Sequence, residues 1–167
     1  MSEWLGNDEL FKSQLGIGHK YSSLVADALR DHNLFVEVTP MVVPDTIQDR
    51  DLFNDEYDLL VAGRRRIEVK SRDVNFTDDP GLYPWPTIYV YSKRGWNAKK
   101  TLPVAVVLIS QHTEAKIVIP TSSSGTWKEK MTRDNVRNIE YAVLVADRSV
   151  CKTFVELAEW LKRQQRG

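Results

Sequence analysis

Three charged residues stand where charge is unusual. Asp58 falls in the apolar run Tyr57-Asp58-Leu59-Leu60-Val61-Ala62, and Glu68 and Lys70 fall in Arg66-Ile67-Glu68-Val69-Lys70-Ser71. Side chains alternate along a strand, so Glu68 and Lys70, two apart, share a face. The intervening Gly63, Arg64 and Arg65 suit a hairpin. Paired in that way, Asp58 approaches Glu68, and two carboxylates converge with a lysine on one spot. Oxygen ligands of this kind suit Mg²⁺ or Mn²⁺. A cation held there lowers the pKa of a bound water and stabilises negative charge on a phosphodiester, while the neighbouring ammonium orients the water or neutralises developing charge. The plainer reading is a surface Glu-x-Lys ion pair beside an Asp that caps a strand. Against it, Leu59, Leu60 and Val61 follow Asp58, and Ile67 and Val69 flank Glu68 as core-facing partners. Both strands are therefore apolar enough to be central, and charges in central strands need a reason.

The elements that must position these residues are legible in outline. Tyr21, Leu24, Val25, Ala28 and Leu29 form the stripe of an amphipathic helix ending near Asn33, a residue that tolerates the left-handed cap. Gly16 and Gly18 separate it from a short helical piece over Asn7 to Leu15. Leu34 to Thr39 reads as a strand, Val43 to Asn54 as a loop, and Asp78 to Pro86 as turns. Thr87 to Ser92, Val104 to Ser110, Ala115 to Ile119 and Tyr141 to Ala146 read as further strands, with Ser122 to Gly125 a loop. Thr126-x-x-Glu129 and Thr153-x-x-Glu156 both have the form of a capping box. Only the second is followed by a helical stripe, at Phe154, Leu157, Ala158 and Leu161. The order predicts an α/β domain with a mixed central β-sheet flanked by helices.

Composition narrows the class. A chain of 167 residues predicts one domain, and 42% hydrophobic with 28% charged residues argues against wholesale disorder. The single cysteine, Cys151, cannot close an intrachain disulfide and is expected to pack in the core; with no signal-like start, a cytoplasmic setting is expected. The formal net charge is zero, which excludes coating of nucleic acid by charge alone. The distribution is polarised, however. Residues 1–57 carry four Lys/Arg against eleven Asp/Glu, and residues 58–100 carry nine against five.

Asp58, nine residues, then Glu68-Val69-Lys70 resembles the PD-(D/E)XK nuclease superfamily, whose core is a helix, a three-strand meander, then a helix and a strand. Gly18-His19-Lys20-Tyr21-Ser22 and Asn33-Leu34-Phe35-Val36 are similar to the first helix and strand of small members of the Holliday-junction-resolvase type. The resemblance implies a restriction-endonuclease-like core, Mg²⁺ or Mn²⁺ as cofactor, and DNA as partner, with a homodimer as a further option. It implies Asp58 and Glu68 as metal ligands, the Val69 carbonyl as a third ligand, and Lys70 as the residue that positions the water. Tyr57 replaces the usual proline, and Ser22 stands where many members carry a first-helix glutamate. One metal then suffices, or Glu9 reaches in from the preceding segment, or binding is weak. His19 is a further outer-shell candidate.

Beyond Lys70 no clear helix is expected before Lys100. Lys93-Arg94-Gly95-Trp96 with Lys99 and Lys100 reads as a basic, aromatic hairpin tip. Trp96 there either stacks on bases or folds back onto the core, while Lys93, Arg94, Lys99 and Lys100 neutralise phosphates. Arg65 and Arg66 beside the hairpin add contacts, although alternation lets at most two of Arg64 to Arg66 face one strand of DNA. A catalytically degraded module that only binds nucleic acid or partner proteins is the competing reading. In a dimer, Tyr83, Trp85 or Trp96 would lie at the interface.

Overall fold

A computed structural model describes residues 18–40 and 58–166 of the chain. The expected helical piece at Asn7 to Leu15, with Glu9, and the loop at Val43 to Asn54 lie outside these residues. Helix α1 covers residues 18–30 and is followed by Asn33 at φ 63°, the left-handed position expected of it. Strands β1 (Val36–Val38), β2 (Leu59–Val61) and β3 (Arg65–Arg72) form an antiparallel meander. The turn between β2 and β3 places both Ala62 (φ 53°) and Gly63 (φ 72°) in the left-handed region, and the Arg64 N–H donates to the Val61 carbonyl (3.2 Å). Gly63 meets this demand without strain.

After β3 the chain leaves the sheet for β4 (Thr87–Ser92) and helix α2 (Lys93–Ala98), then returns as β5 (Ala105–Ser110), parallel to β3. Strands β6 (Lys116–Pro120) and β9 (Lys152–Thr153) complete a six-stranded sheet in the order β1-β2-β3-β5-β6-β9. A second, three-stranded antiparallel sheet is built from β4, β8 (Ile139–Asp147) and β7 (Lys128–Asp134). Helix α3 (Phe154–Arg166) closes the fold. The protein is thus mixed α/β with a mixed main sheet, as expected, and carries a second sheet that the sequence did not announce.

Alternation along the strands builds three layers. On one face of the main sheet Ile67, Val69, Val107 and Ile109 pack with Tyr21, Val25 and Leu29 of α1 and with Phe154, Leu157 and Leu161 of α3. On the other face Val106, Leu108, Ile117 and Ile119 meet Ile88 and Val90 of β4, Trp96 of α2 and Ala146 of β8. Strand β5 is buried on both faces, which explains its unbroken apolar sequence Ala-Val-Val-Leu-Ile.

Two local expectations change, and one pattern left open is settled. Residues Lys93 to Ala98 form a short helix and not a hairpin tip, because the Ser92 hydroxyl accepts from the Gly95 N–H (3.1 Å) as an N-cap. The Thr126-x-x-Glu129 pattern caps nothing: Glu129 lies in β7, whose cross-strand partner β8 supplies the hydrogen bonds a helix would have made. Ser122 to Gly125 lie in a 3₁₀ segment, Thr121–Thr126. Cys151 is buried as expected, and burial pushes its thiol up to about 12. No helix among the described residues is long and apolar enough to cross a membrane.

The capping box at α3 forms reciprocally. Thr153 N–H donates to Glu156 Oε2 (2.8 Å), and Glu156 N–H donates to Thr153 Oγ1 (3.2 Å). Thr153→Ala is expected to lower the stability in urea denaturation by about 1 kcal/mol, the usual cost of a lost cap. An unchanged midpoint would show that packing of Phe154 and Leu157 alone sets the start of α3.

Candidate active site

The register of the β2–β3 hairpin pairs Leu59 with Ile67, which places Asp58 beside Glu68 at the open end of the ladder. Asp58 N–H donates to the Ile67 carbonyl (3.2 Å), continuing the pairing by one residue. Asp58 Oδ2 in turn accepts from the Val69 N–H (2.7 Å), and this fixes the carboxylate against the strand that carries Glu68. The convergence expected from spacing is therefore present, and the backbone itself orients Asp58.

Glu68 is buried, and its Oε1 lies 2.5 Å from Lys99 Nζ; the two side chains retain 5% and 1% of their surface. Lys70 Nζ stands 4.3 Å from the centroid of the Tyr91 ring and Lys99 Nζ 4.8 Å from it, so one aromatic ring faces both ammonium groups. Gly95 allows this arrangement. A Cβ there would approach Ser92 Oγ to 2.7 Å and Tyr91 Cε1 to 2.9 Å, displacing either the cap of α2 or the ring.

Burial raises the Glu68 carboxyl to about 8, and the negative charge of Asp58 adds to the rise, with Lys70 and Lys99 opposing it. Burial lowers the Lys70 ammonium, which Glu68 and Asp58 in part restore. The site thus holds a carboxyl that gives up its proton reluctantly and a lysine that loses its own more readily than usual.

The remaining expected residues divide. Lys99, expected at a phosphate, is drawn into the site by the buried carboxylate. Trp96 is buried at 7% exposure, edge-on to Tyr91 and Trp127 at 5.8 and 5.1 Å, so it does not present a ring for stacking. Arg65 belongs to the opposite face of β3 from Glu68. Its guanidinium donates to Gln164 Oε1 (3.3 Å) and lies 5.7 Å from the Trp160 ring, so it braces α3. Lys93 pairs with Glu129 at 2.6 Å on the surface. Arg66 shares the face of Glu68 by alternation, and Arg94 and Lys100 are exposed at the ends of α2. Ser22 is buried with its hydroxyl donating to the Gly18 carbonyl (3.2 Å), an internal helix contact. His19 is half-buried near residue 18 of α1. Tyr83 is buried, whereas Trp85 is 54% exposed, so of the three aromatics considered for an interface it alone has the surface for one.

Tyr91 was not singled out from the sequence, and Lys99 was assigned to a phosphate and not to this site. Tyr91 and Lys99 reach Glu68 and Lys70 only because β4 and α2 fold over β3, and no local spacing encodes that path. Arg72 was not singled out either, although Glu68, Lys70 and Arg72 follow one another at the period of two, the signal that could have found it. Comparison of the chain with protein-family models, with curated proteins and with solved structures finds no match, so the geometry itself must carry the reading.

The raised Glu68 carboxyl has a consequence for stability. The folded chain holds a proton that the unfolded chain has released, so the stability from this group is full below the ordinary value of 4.5 and is lost as pH rises through about 8. Urea midpoints measured across that window are expected to fall more steeply with pH for the wild type than for Glu68→Gln. Parallel curves would contradict a proton held on Glu68.

Proposed function

We propose that the protein is a divalent-metal-dependent nuclease that hydrolyses DNA phosphodiester bonds at Asp58, Glu68 and Lys70, on a restriction-endonuclease-like core. The observation that carries this reading is the backbone-anchored convergence of Asp58 with Glu68, with Lys70 on the same face of β3. The order of elements supports it: a helix, an antiparallel meander, then a crossover containing α2 and a strand parallel to β3.

The donor set fits the implied cation. Mg²⁺ and Mn²⁺ are held through one or two carboxylates and keep several waters, so Asp58 and Glu68 would hold one, with the Val69 carbonyl as a further oxygen. Bound there, the cation supplies Lewis acidity and a more acidic water. The protein's own groups do the rest. The Val69 N–H keeps Asp58 turned toward Glu68, Lys99 offsets part of the buried negative charge, and Lys70, with its lowered pKa, orients a water and accepts its proton.

One observation favours the competing module that binds without cutting: Glu68 is already paired with an ammonium of the protein, and Ser22 brings no carboxylate from α1. A panel of single-stranded, duplex, flap and four-way-junction DNAs, incubated with Mg²⁺, Mn²⁺ or EDTA, separates the two. Metal-dependent cutting that falls by about 100-fold or more in Asp58→Ala and Lys70→Ala is expected, in line with loss of a positioned proton-transfer group. Cleavage that survives both substitutions, or binding with no cutting under any metal, overturns the nuclease reading.

A further inference from the structure

A second site lies further along the same face of β3. Beyond Lys70, β3 ends in Arg72, about 13 Å from Glu68 at about 3.3 Å per residue. Arg72 Nη1 donates to the Ser71 carbonyl (3.1 Å) and Nη2 to the Tyr89 carbonyl (3.4 Å), and among the described residues no carboxylate pairs with it. Around it opens a cleft of about 500 Å³ lined by Arg72, Tyr83, Trp85, Tyr89 and Lys130, with Val74, Pro86 and Thr87 filling the gaps between them. Both charged residues of the lining are cationic, and three of its side chains are aromatic.

The indole is held ready. Trp85 lies between Pro84 and Pro86, and Arg148 braces this segment from behind: its Nη1 donates to the Tyr83 carbonyl (2.7 Å) and its backbone N–H to the Pro86 carbonyl (2.9 Å). Tyr83 packs against the indole edge at 5.9 Å, yet more than half of Trp85 remains open to solvent. An exposed tryptophan on a rigid segment makes a stacking platform at low cost in ordering. Lys130 lies 5.5 Å from the Tyr89 ring and lines the cleft together with Arg72, so two cations share it with the aromatic surface.

We propose that this cleft binds a nucleotide, its base stacked on Trp85 and its phosphate held between Arg72 and Lys130. A cavity of this size suits one nucleotide, and planar aromatic ligands that also carry negative charge match both halves of the lining. Glu68, Lys70 and Arg72 share one face of β3, the Tyr91 ring faces Lys70, and the Tyr89 carbonyl accepts from Arg72, so the cleft lies further along the same face of β3 as the candidate active site. The nucleotide is therefore a unit of a single strand near the cutting site, a specification that rests on the nuclease reading, whereas the binding itself does not.

The test measures binding in EDTA, where no cutting occurs. Fluorescence anisotropy of a labelled oligo(dT) is compared for wild type, Trp85→Ala, Lys130→Ala and Lys70→Ala, with free thymidine monophosphate as competitor. Both cleft substitutions are at exposed positions, so the fold is expected to survive, and circular dichroism checks this. Trp85→Ala is expected to weaken binding roughly 5- to 150-fold, the range of one base–aromatic stack. Lys130→Ala is expected to reduce the slope of log affinity against log salt by about 0.7, the loss of one phosphate contact to a single strand. Competition by the monophosphate identifies the free nucleotide as a sufficient ligand, and its failure assigns the ligand to the strand. Wild-type affinity in both cleft variants, absence of binding by the wild type, or dissociation of an oligomer on Trp85→Ala with DNA binding unchanged overturns the proposal. Cleft-dependent binding by a protein that cuts nothing leaves the cleft standing and removes only the nuclease reading.

Discussion

Burying a carboxylate between two packed sheets costs several kcal/mol unless other charges and hydrogen bonds compensate it. Glu68 is in that position, and the arrangement around it follows from the need for compensation. Lys99 arrives from the far end of α2 to lie against Oε1, and its stem is as buried as its partner. Helix α2 must therefore sit close over β3, which requires the Ser92 cap and the missing Cβ of Gly95. Tyr91 is placed by the same contacts and faces the ammonium groups of Lys70 and Lys99. Even so, the positive charge supplied by the protein does not hold the carboxyl in its ordinary range. Burial is the larger cause of that rise, and two carboxylates converging at a buried spot are the oxygen donors a hard cation takes.

Strand β3 has two unlike faces, and this division organises the protein. Ile67 and Val69 enter the helical layer and fix the strand's height in the sheet. Glu68, Lys70 and Arg72 enter the layer between the sheets, where β4 lies over them. Because Ile67 and Val69 are buried in the helical layer, β3 cannot slip by one residue without carrying Glu68 or Lys70 into that layer. The candidate catalytic residues Glu68 and Lys70 are thus held on a central strand and not on a loop, and Arg72 of the proposed cleft lies on the same row.

How much of this was legible depended on the range of the interaction. The stripe of α1, the hairpin, the limits of β4 and the Thr153 to Glu156 box all follow from residues within a few positions of one another. The convergence of Asp58 and Glu68 was also legible, because a short hairpin fixes its own register. The second sheet was not, since β7 reads Lys-Glu-Lys-Met-Thr-Arg-Asp and lacks the apolar alternation that marks a strand; pairing with β8 along its whole length makes it one. Lys99 was assigned to a phosphate, and Trp96 left open between base stacking and the core, for a related reason. A basic and aromatic segment reads as a nucleic-acid contact when taken alone, but here Ser92 turns it into a helix that points Trp96 into the core and Lys99 at Glu68.

The central claim is that Asp58 and Glu68 together form a cation site, and it is tested most directly by the binding of Mn²⁺, followed by electron paramagnetic resonance of the free ion, to the wild-type protein and to Asp58→Asn. The account predicts saturable binding of one Mn²⁺ per chain that weakens by about 10-fold or more in the variant, as loss of a metal contact does. Absence of saturable binding, or equal affinity in the two proteins, would contradict it.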